Sequence, residues 1–355
     1  MPAPKDVTLN PVVLESALER GGFLDRRFGV SARGSNYRTE FLAALTTFAT
    51  MSYVLAVHPY ILSQAGMDRA ALVTITALVA GVFSILMGVM ANLPIAQAPG
   101  MGVNGFFAFN IVLTMGVPVP AALGLVFWTG VAFLVLSVTG VRHALLAAFP
   151  EAISHAMTVG LGLFILFIGL KGSGIVVSAP EPIFVSLGDV SSPPVMLALA
   201  GVPLMLALMA RGLPGAIVVS IAILTALGAF VTDPNTGMAL TRAPEAFVAP
   251  PADLTGLALS LDLGYLFANF GTMFPVVLTL LFIDLFTSLV AMNAMCRRAG
   301  LADADGNVRN PRRALSADAL ATIGGALAGT STTNCFIESA AGIETGGRTG
   351  LVALW

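Results

Sequence analysis

Residues 92–105 have the sequence NLPIAQAPGMGVNG, which interrupts a chain that is otherwise apolar almost from end to end. Pro94 and Pro99 lack a backbone N–H and clash with the preceding helical turn, so a continuous helix is not expected here. A second polar stretch, GTSTTNCFIESAAGIETGGR, occupies residues 329–348, where Thr332 and Thr333 favour extended backbone. The two stretches predict two helices that are broken in the middle.

The composition around these breaks is that of a membrane protein. Hydrophobic residues make up 57% of the chain and charged residues 10%, and the mean hydropathy is +0.90. A soluble domain carries roughly a quarter charged residues, so this chain could not cover a surface that faces water. Most lysines and arginines fall in two blocks, Lys5–Arg38 and Arg297–Arg313, without interleaved aromatics, so nucleic-acid binding is not expected.

Apolar stretches long enough to cross about 30 Å of hydrocarbon recur along the chain. The segment 254–269 is apolar but short, and because it contains Asp262 it is predicted to be an interfacial helix. The predicted spans are residues 41–63, 71–91, 101–115, 119–139, 154–174, 192–210, 214–231, 271–295, 314–331 and 338–355.

The distribution of basic residues predicts a cytoplasmic N-terminus in a bacterial inner membrane. With that orientation the loops at 140–150, 211–213 and 297–313 are cytoplasmic, and cytoplasmic loops are enriched in lysine and arginine. The opposite side receives few basic residues, namely Arg69, Lys171 and Arg242. The cytoplasmic loops hold Arg142, Arg211, Arg297, Arg298, Arg309, Arg312 and Arg313.

The spacing of the breaks suggests an internal repeat. The first break lies about 50 residues after the first span begins, and the second about 60 residues after the eighth span begins. Repeats that start near residues 41 and 271 are separated by an odd number of spans, so their topology is expected to be inverted. Paired broken helices in two inverted halves are typical of the binding site of a secondary transporter.

Asp284 lies in the middle of the apolar segment LTLLFIDLFTSLV, residues 278–290. A carboxylate at the centre of a spanning helix costs about 2.5–3.5 kcal/mol, so it normally faces a cavity or a partner. Two interpretations stay open: Asp284 carries a proton during transport, or it pairs with an arginine or the backbone to fix helix packing.

Other acids accompany the second break. Glu338 follows the polar cluster where a half-helix could begin, and a helix N-terminus offers free N–H donors to a ligand. The alternative is that Glu338 caps that helix. Glu344 is expected to pair with Arg348, and Asp318 is expected to form an interfacial salt bridge or a helix cap near the cytoplasmic arginines.

Uncharged candidates for ligand contact lie in the same two breaks. The amide of Asn104 donates and accepts hydrogen bonds, which suits the polar edge of a heterocycle, although it could equally tie the broken backbone together. Phe336 is the best-placed aromatic for stacking on a flat ring, and Ser339 and Gly102 complete the candidate contacts.

No metal site or cofactor is expected. His58, His143 and His155 do not have the spacing of metal ligands. Cys296 and Cys335 are far apart in the sequence and predict neither a disulfide framework nor a metal site. Because neither a nucleophile–base pair nor a metal set is present in the sequence, an enzyme is not expected.

Four stretches together resemble the nucleobase–cation symporter family of xanthine/uracil permeases, and within it the branch that carries adenine, guanine and hypoxanthine. The resemblance runs in register from about residue 36 onward. The stretches are RTEFLAALTTF at 38–48, ANLPIAQAPGMGVNGFF at 91–107, GLGLFILFIGL at 160–170 and ESAAGIETGGRTGL at 338–351.

This resemblance implies an all-α polytopic membrane fold of two inverted seven-span repeats, with a core domain and a gate domain. Spans three and ten are each interrupted by a short strand, and substrate binds between those breaks and span eight. Asp284 and Glu338 match the essential acids of spans eight and ten, and Asn104 matches the polar residue after the first break. The implied organisation is a cytoplasmic segment 1–37, core parts 38–139 and 254–355, and a gate part 140–253.

Two departures from the family pattern stand out. Thr287 occupies the place of a second acid that this branch usually has in span eight, which bears on substrate choice and coupling. The chain also stops at Trp355 inside an apolar run, so the second core part is expected to be truncated, with the C-terminal spans missing.

The expected function is therefore uptake of a purine base such as hypoxanthine, guanine or adenine, driven by a proton that Asp284 and Glu338 couple. The expected partners are a purine base, a proton and the lipid bilayer, with a homodimer as an option. The alternative is an anion transporter of the same inverted-repeat architecture. Two acids in the site argue against that alternative, because an anion site would favour arginine or lysine near the breaks.

Overall fold

The computed structural model describes residues 22–139, 151–179, 185–213, 215–232, 237–241, 250–303, 308 and 311–355. The predictions for Arg142, His143, Arg242 and Arg309, and for the cytoplasmic segment up to residue 21, lie outside these residues. The backbone of His155 lies in a described helix, but its side chain does not belong to the described part.

The described chain is mainly helical, and four short strands interrupt the helices. The helices are α1 Phe23–Phe28, α2 Tyr37–Met51, α3 Val54–Ser63, α4 Arg69–Ala91, α5 Met101–Gly105, α6 Val119–Thr139, α7 Glu151–Gly172, α8 Pro193–Ala210, α9 Ala216–Gly228, α10 Tyr265–Ala268, α11 Phe270–Ala299, α12 Pro311–Ala328, α13 Ser339–Glu344 and α14 Leu351–Leu354. A π-helix, Phe106–Thr114, continues α5. The strands are β1 Gln97–Pro99, β2 Val176–Ser178, β3 Val185–Leu187 and β4 Thr333–Cys335.

Five helical segments in the described part are long and apolar enough to cross a membrane, with mean hydropathies between 1.5 and 2.4. Shorter apolar helices cover Met101–Thr114, Gly162–Gly172 and Ala216–Gly228. All of these coincide in position with predicted spans, so the prediction of a multi-pass membrane protein is confirmed. The five segments are Tyr37–Ser63, Arg69–Ala91, Val119–Thr139, Pro193–Ala210 and Phe270–Ala299.

Both predicted breaks are present, and they pair with each other. β1 runs antiparallel to β4, with Gln97 opposite Cys335, Ala98 opposite Asn334 and Pro99 opposite Thr333. At the two ends of the pair, the Gly100 N–H donates to the Thr332 carbonyl at 2.9 Å and the Phe336 N–H donates to the Ala96 carbonyl at 3.0 Å. The pairing satisfies backbone groups that the interrupted helices leave free.

The order of elements repeats along the chain. A bent or long helix, a second helix, a strand and a short helix occur first as α2–α3, α4, β1 and α5, and again as α11, α12, β4 and α13. The two equivalent strands are antiparallel neighbours, as expected for units related by a two-fold axis. The starts of α2 and α11 agree with the repeat starts predicted near residues 41 and 271.

Two predicted segments are shorter in the structure. The interfacial helix expected over 254–269 is reduced to α10, because Leu259 has a positive φ of 58° and the Asp262 carboxylate accepts the N–H groups of Gly264 and Tyr265 at the start of α10. The stretch 338–355 is not one helix either. α13 ends at Glu344, and Gly346 with φ 113° turns the chain before α14.

Close approach of α6 to α12 places α12 beside the breaks. A Cβ atom on Gly130 of α6 would lie 2.9 Å from the backbone nitrogen of Ile323 and 2.7 Å from its Cγ1. Only a residue without a side chain allows this contact, since backbone atoms cannot give way. Gly130 therefore sets the position of the α12 segment around Thr322.

Substituting Gly130→Ala is expected to destabilise the protein by about 1–3 kcal/mol, as overpacking of a well-packed core does. The measurement is the midpoint of thermal unfolding in detergent micelles. Gly169→Ala is the matched control, because a Cβ atom at Gly169 meets nothing within 4 Å. Equal midpoints for the two variants would contradict the proposed constraint.

Candidate functional site

A buried group of four side chains lies between α11 and α12. Asp284 and Ser288 are one turn apart on α11, and Asp318 and Thr322 are one turn apart on α12; all four are fully buried. The Thr322 hydroxyl donates to Asp284 Oδ2 at 2.9 Å, and Ser288 lies beside Asp318. Each acid thus faces a hydroxyl of the other helix, and we call these four residues the acid cluster.

The paired strands close the acid cluster on one side. Gln97 of β1 donates its amide to Asp318 Oδ1 at 3.0 Å, and the Cys335 thiol of β4 lies 3.6 Å from the same oxygen. Thr322 also contacts the carbonyl of Thr333 at 2.9 Å, and Asn334 lies beside Asp284. The strands that replace helix in the two breaks are therefore in direct contact with both acids.

Several oxygens of the acid cluster have no hydrogen-bond partner. These are Asp284 Oδ1, Asp318 Oδ2 and the Ser288 hydroxyl, joined by the neighbouring Thr333 hydroxyl of β4. Within the described residues neither carboxyl has an ion pair. Removing a carboxylate from water without a compensating charge is costly, so this arrangement suits the binding of a proton or another small cation.

The prediction for Asp318 is wrong. The sequence places it at the cytoplasmic interface near Arg312 and Arg313, but those arginines are exposed while Asp318 is fully buried. α12 begins at Pro311, so Asp318 lies about two turns inside the helix, on the face that meets Gln97 and Cys335. Proximity in sequence to basic residues does not indicate this face.

A second buried group, the histidine cluster, joins α3, α5 and the loop before β4. His58 Nε2 lies 2.6 Å from the Thr330 hydroxyl, and its Nδ1 contacts the amide nitrogen of Asn104. The Ser331 hydroxyl donates to the amide oxygen of Asn104. The oxygen and the nitrogen of the Asn104 amide thus both have partners in the protein. Of the two alternatives that the sequence leaves open, this arrangement corresponds to an amide that ties the broken segments together.

A third group surrounds Glu338, where the break opens toward the turn between α2 and α3. The Tyr53 hydroxyl donates to the Glu338 carboxylate, and the Thr50 hydroxyl lies 3.2 Å from the Glu338 backbone carbonyl. Tyr53 is half-buried, and Glu338 lies at the edge of the buried break. Glu338 precedes α13, but its side chain makes no capping hydrogen bond. It is the candidate acid that a ligand could reach without unfolding the core.

The remaining candidates lie close to Glu338 but have mainly packing contacts. Phe336 is 5% exposed in an apolar cluster with Met51 and Val54. The Ser339 hydroxyl accepts the Ala96 N–H at 3.0 Å, and Gly102 is buried in α5. The structure therefore brings Glu338, Phe336 and Ser339 together, whereas Asp284 belongs to the acid cluster and Asn104 to the histidine cluster.

The expected ion pair between Glu344 and Arg348 does not form. Glu344 pairs instead with Arg298 at 2.5 Å on the surface, where both side chains are more than half exposed. The Arg348 guanidinium donates to the carbonyls of Ile343 and Gly347 at 2.7 and 2.8 Å. A surface ion pair contributes only about 0–1 kcal/mol, so Glu344 is peripheral to the three groups.

The sequence does not predict the hydroxyl residues of these groups, nor His58 and Tyr53, and it misplaces Asp318. His58 stands alone among apolar residues without metal-ligand spacing, and Tyr53 is one of several aromatics in a hydrophobic span, so neither has a signal of its own. Asp318 stands out as an acid but is assigned to the wrong surroundings. A preference for pairs at helical spacing, such as Asp284 with Ser288 and Asp318 with Thr322, would have found the acid cluster.

Two broken helices paired at membrane depth, with buried acids against them and apolar spans around them, define a membrane permease. The chain belongs to the xanthine/uracil permease family: the model of that family, described as Permease family, matches residues 38–354.

Similar proteins include two permeases of Escherichia coli. The chain is 37% identical to the adenine permease AdeP of strain K12 over 334 residues, which is 94% of this chain and 72% of that protein. It is 37% identical to the guanine/hypoxanthine permease GhxP of strain O157:H7, over 94% of this chain and 74% of that protein.

Among solved structures, the transmembrane domain of a cyanobacterium bicarbonate transporter, BicA, superposes with a TM-score of 0.62 at 15% sequence identity. The superposition covers 89% of this chain and 79% of that chain. At this identity the likeness concerns the fold alone.

Replacing Asn104 by leucine is expected to destabilise the protein, since it leaves His58 and Ser331 buried with a lost hydrogen bond each. A buried polar group without its partner costs about 1–3 kcal/mol. The unfolding midpoint in micelles measures the loss. Asn110→Leu is the control, because Asn110 is exposed on the π-helix that continues α5. An unfolding midpoint for Asn104→Leu no lower than that of the control would refute a stabilising role for the Asn104 hydrogen bonds.

Proposed function

We propose that this chain takes up a purine base, such as hypoxanthine, guanine or adenine, together with a proton across the bacterial inner membrane. The observation that carries the proposal is the pairing of β1 with β4 at the two breaks, which holds Glu338 beside Tyr53 at the edge of the break. The family membership and the similarity to permeases for adenine and for guanine and hypoxanthine support the choice of substrate.

In this proposal Glu338 is the acid that binds the base. A carboxylate has two oxygens, and Tyr53 donates to Oε1 only, so Oε2 is able to accept a ring N–H of the purine. Phe336 and Ser339 support the backbone of the same break, with Gly102 on the opposing half-helix. A site that bonds the polar edge of a substrate discriminates strongly against analogues that lack it.

Asp284 is the proton carrier of the proposal. It is buried, has a free carboxyl oxygen and contacts β4 through Thr322, so its protonation and the position of the break influence each other. Coupling requires that substrate binding favour the protonated form of the site. Alternating access then follows from movement of the core parts, 38–139 and 254–355, against the gate part 140–253.

The proposed orientation has a cytoplasmic N-terminus, so that the exposed arginines 297, 298, 312 and 313 face the cytoplasm. Purine bases then enter from the opposite side and leave toward these arginines. The acids around the breaks fit a neutral base with a proton better than they fit an anion.

Uptake in a bacterium that lacks its own purine permeases tests the proposal. Radiolabelled hypoxanthine, guanine and adenine are expected to accumulate, and a protonophore is expected to abolish accumulation. Unlabelled hypoxanthine should compete and bicarbonate or sulfate should not. Normal membrane expression without uptake of any base would refute the proposed purine transport. Competition by the anions alone would indicate an anion transporter instead.

Glu338→Gln is expected to raise KM for purine about 10- to 100-fold, because a hydrogen bond to a charged group contributes about 1.5–3 kcal/mol. Uptake kinetics at equal membrane expression measure this. Glu344→Gln is the matched control, since Glu344 lies six residues further along and is exposed. Equal KM values for the two variants would exclude Glu338 from the binding site.

A further inference from the structure

We propose that Asp284 and Asp318 hold the coupling proton together, as one shared site, and that Asp318 is thus the second acid of coupling. This inference rests on the proposed function and adds to it a residue that the sequence assigns only to the cytoplasmic surface. The ligand is a single proton, bound between two carboxyl groups from different helices.

The geometry of α11 and α12 places the two acids in one site. Asp284 contacts Thr322, four residues after Asp318, and Asp318 lies beside Ser288, four residues after Asp284. Residues four apart lie on the same helix face one turn along, so both acids are on the facing sides of the two helices.

The surroundings of the pair supply polar contacts but no balancing charge. The groups that face it are the Gln97 amide from β1, the Asn334 amide and the Cys335 thiol from β4, and the hydroxyls of Ser288 and Thr322. Of these the thiol alone is titratable besides the two acids, and no lysine or arginine among the described residues pairs with them. Two adjacent buried carboxylates cannot both stay charged without a cation, and a shared proton relieves their repulsion.

The free oxygens indicate where the proton lies. Asp284 Oδ2 and Asp318 Oδ1 already accept hydrogen bonds from Thr322 and Gln97, while Asp284 Oδ1 and Asp318 Oδ2 accept none. A proton on one of these two oxygens converts that group to a carboxylic acid and leaves the other as the acceptor carboxylate. On release the proton returns to water and the pair regains its second negative charge.

The strands connect this site to the purine site. Gln97 donates to Asp318 from β1, and the Thr322 hydroxyl that contacts Asp284 also lies 2.9 Å from the Thr333 carbonyl of β4. Glu338 follows three residues after the end of β4. A movement of the strand pair on purine binding therefore changes the contacts of both acids at once.

The test uses the purified full chain in proteoliposomes with radiolabelled hypoxanthine. Wild-type protein is expected to exchange hypoxanthine and to accumulate it when the interior is made alkaline. For Asp284→Asn and for Asp318→Asn we expect accumulation to fall to background, while exchange falls less than about tenfold. Asp318→Glu should restore part of the accumulation, because it returns the carboxyl group.

Two controls separate coupling from folding and from binding. Asp262→Asn, at an exposed acid whose carboxylate accepts two N–H groups at the start of α10, should keep both exchange and accumulation, since the amide oxygen of asparagine can accept the same hydrogen bonds. Glu338→Gln should reduce exchange and accumulation together at low hypoxanthine concentration, through its higher KM for purine. Proton uptake on hypoxanthine binding, followed with a pH dye in weak buffer, should be present in wild type and absent in Asp318→Asn.

Three results would overturn the inference. Accumulation by Asp318→Asn at the wild-type level would reduce Asp318 to a structural acid. Loss of exchange in a folded Asp318→Asn protein would exclude a role confined to coupling. Accumulation driven by a sodium gradient instead of a pH gradient would assign the acid cluster to Na⁺. Failure of wild-type protein to exchange any purine would instead refute the proposed function.

Discussion

The pairing of β1 with β4 is the interaction on which the rest of the structure depends. Inside a bilayer a backbone N–H or C=O without a partner costs several kcal/mol, so a helix can break at that depth only where another part of the protein satisfies it. Here the backbone groups of each break form hydrogen bonds with those of the other break. The paired strands run from Gln97 opposite Cys335 to Pro99 opposite Thr333. Neither half could adopt its broken helix alone.

Polar side chains gather where the backbone is irregular for the same physical reason. The acid, histidine and Glu338 groups each contact the loop or strand of a break, because the exposed peptide groups there offer donors and acceptors in an otherwise apolar interior. Small residues complete the arrangement, since Gly130 lets α12 approach α6 closely enough to bring Thr322 to Asp284. Fold and site thus share one cause.

The sequence predicts the parts of this structure that single residue types determine. Pro94 and Pro99, clustered with glycines and amides, and the polar run after Gly329 predict the two breaks, and Asp284 is conspicuous because a charge in an apolar span is rare. Asp318 is misplaced because its partner Gln97 belongs to a distant segment, and Tyr53 is missed because its partner Glu338 does so as well. Such contacts across more than two hundred residues leave no local pattern.

The strand pair is the structural link between the two acids, Asp284 and Glu338. Asp284 is fully buried and is linked to β4 through Thr322, whereas Glu338 lies beyond the end of that strand beside Tyr53. In the proposed mechanism, coupling between the two acids passes through the backbone of residues 333–338 and through Gln97 of β1. Short strands suit this task, since two hydrogen-bonded segments shift as a unit where a flexible loop would absorb the displacement.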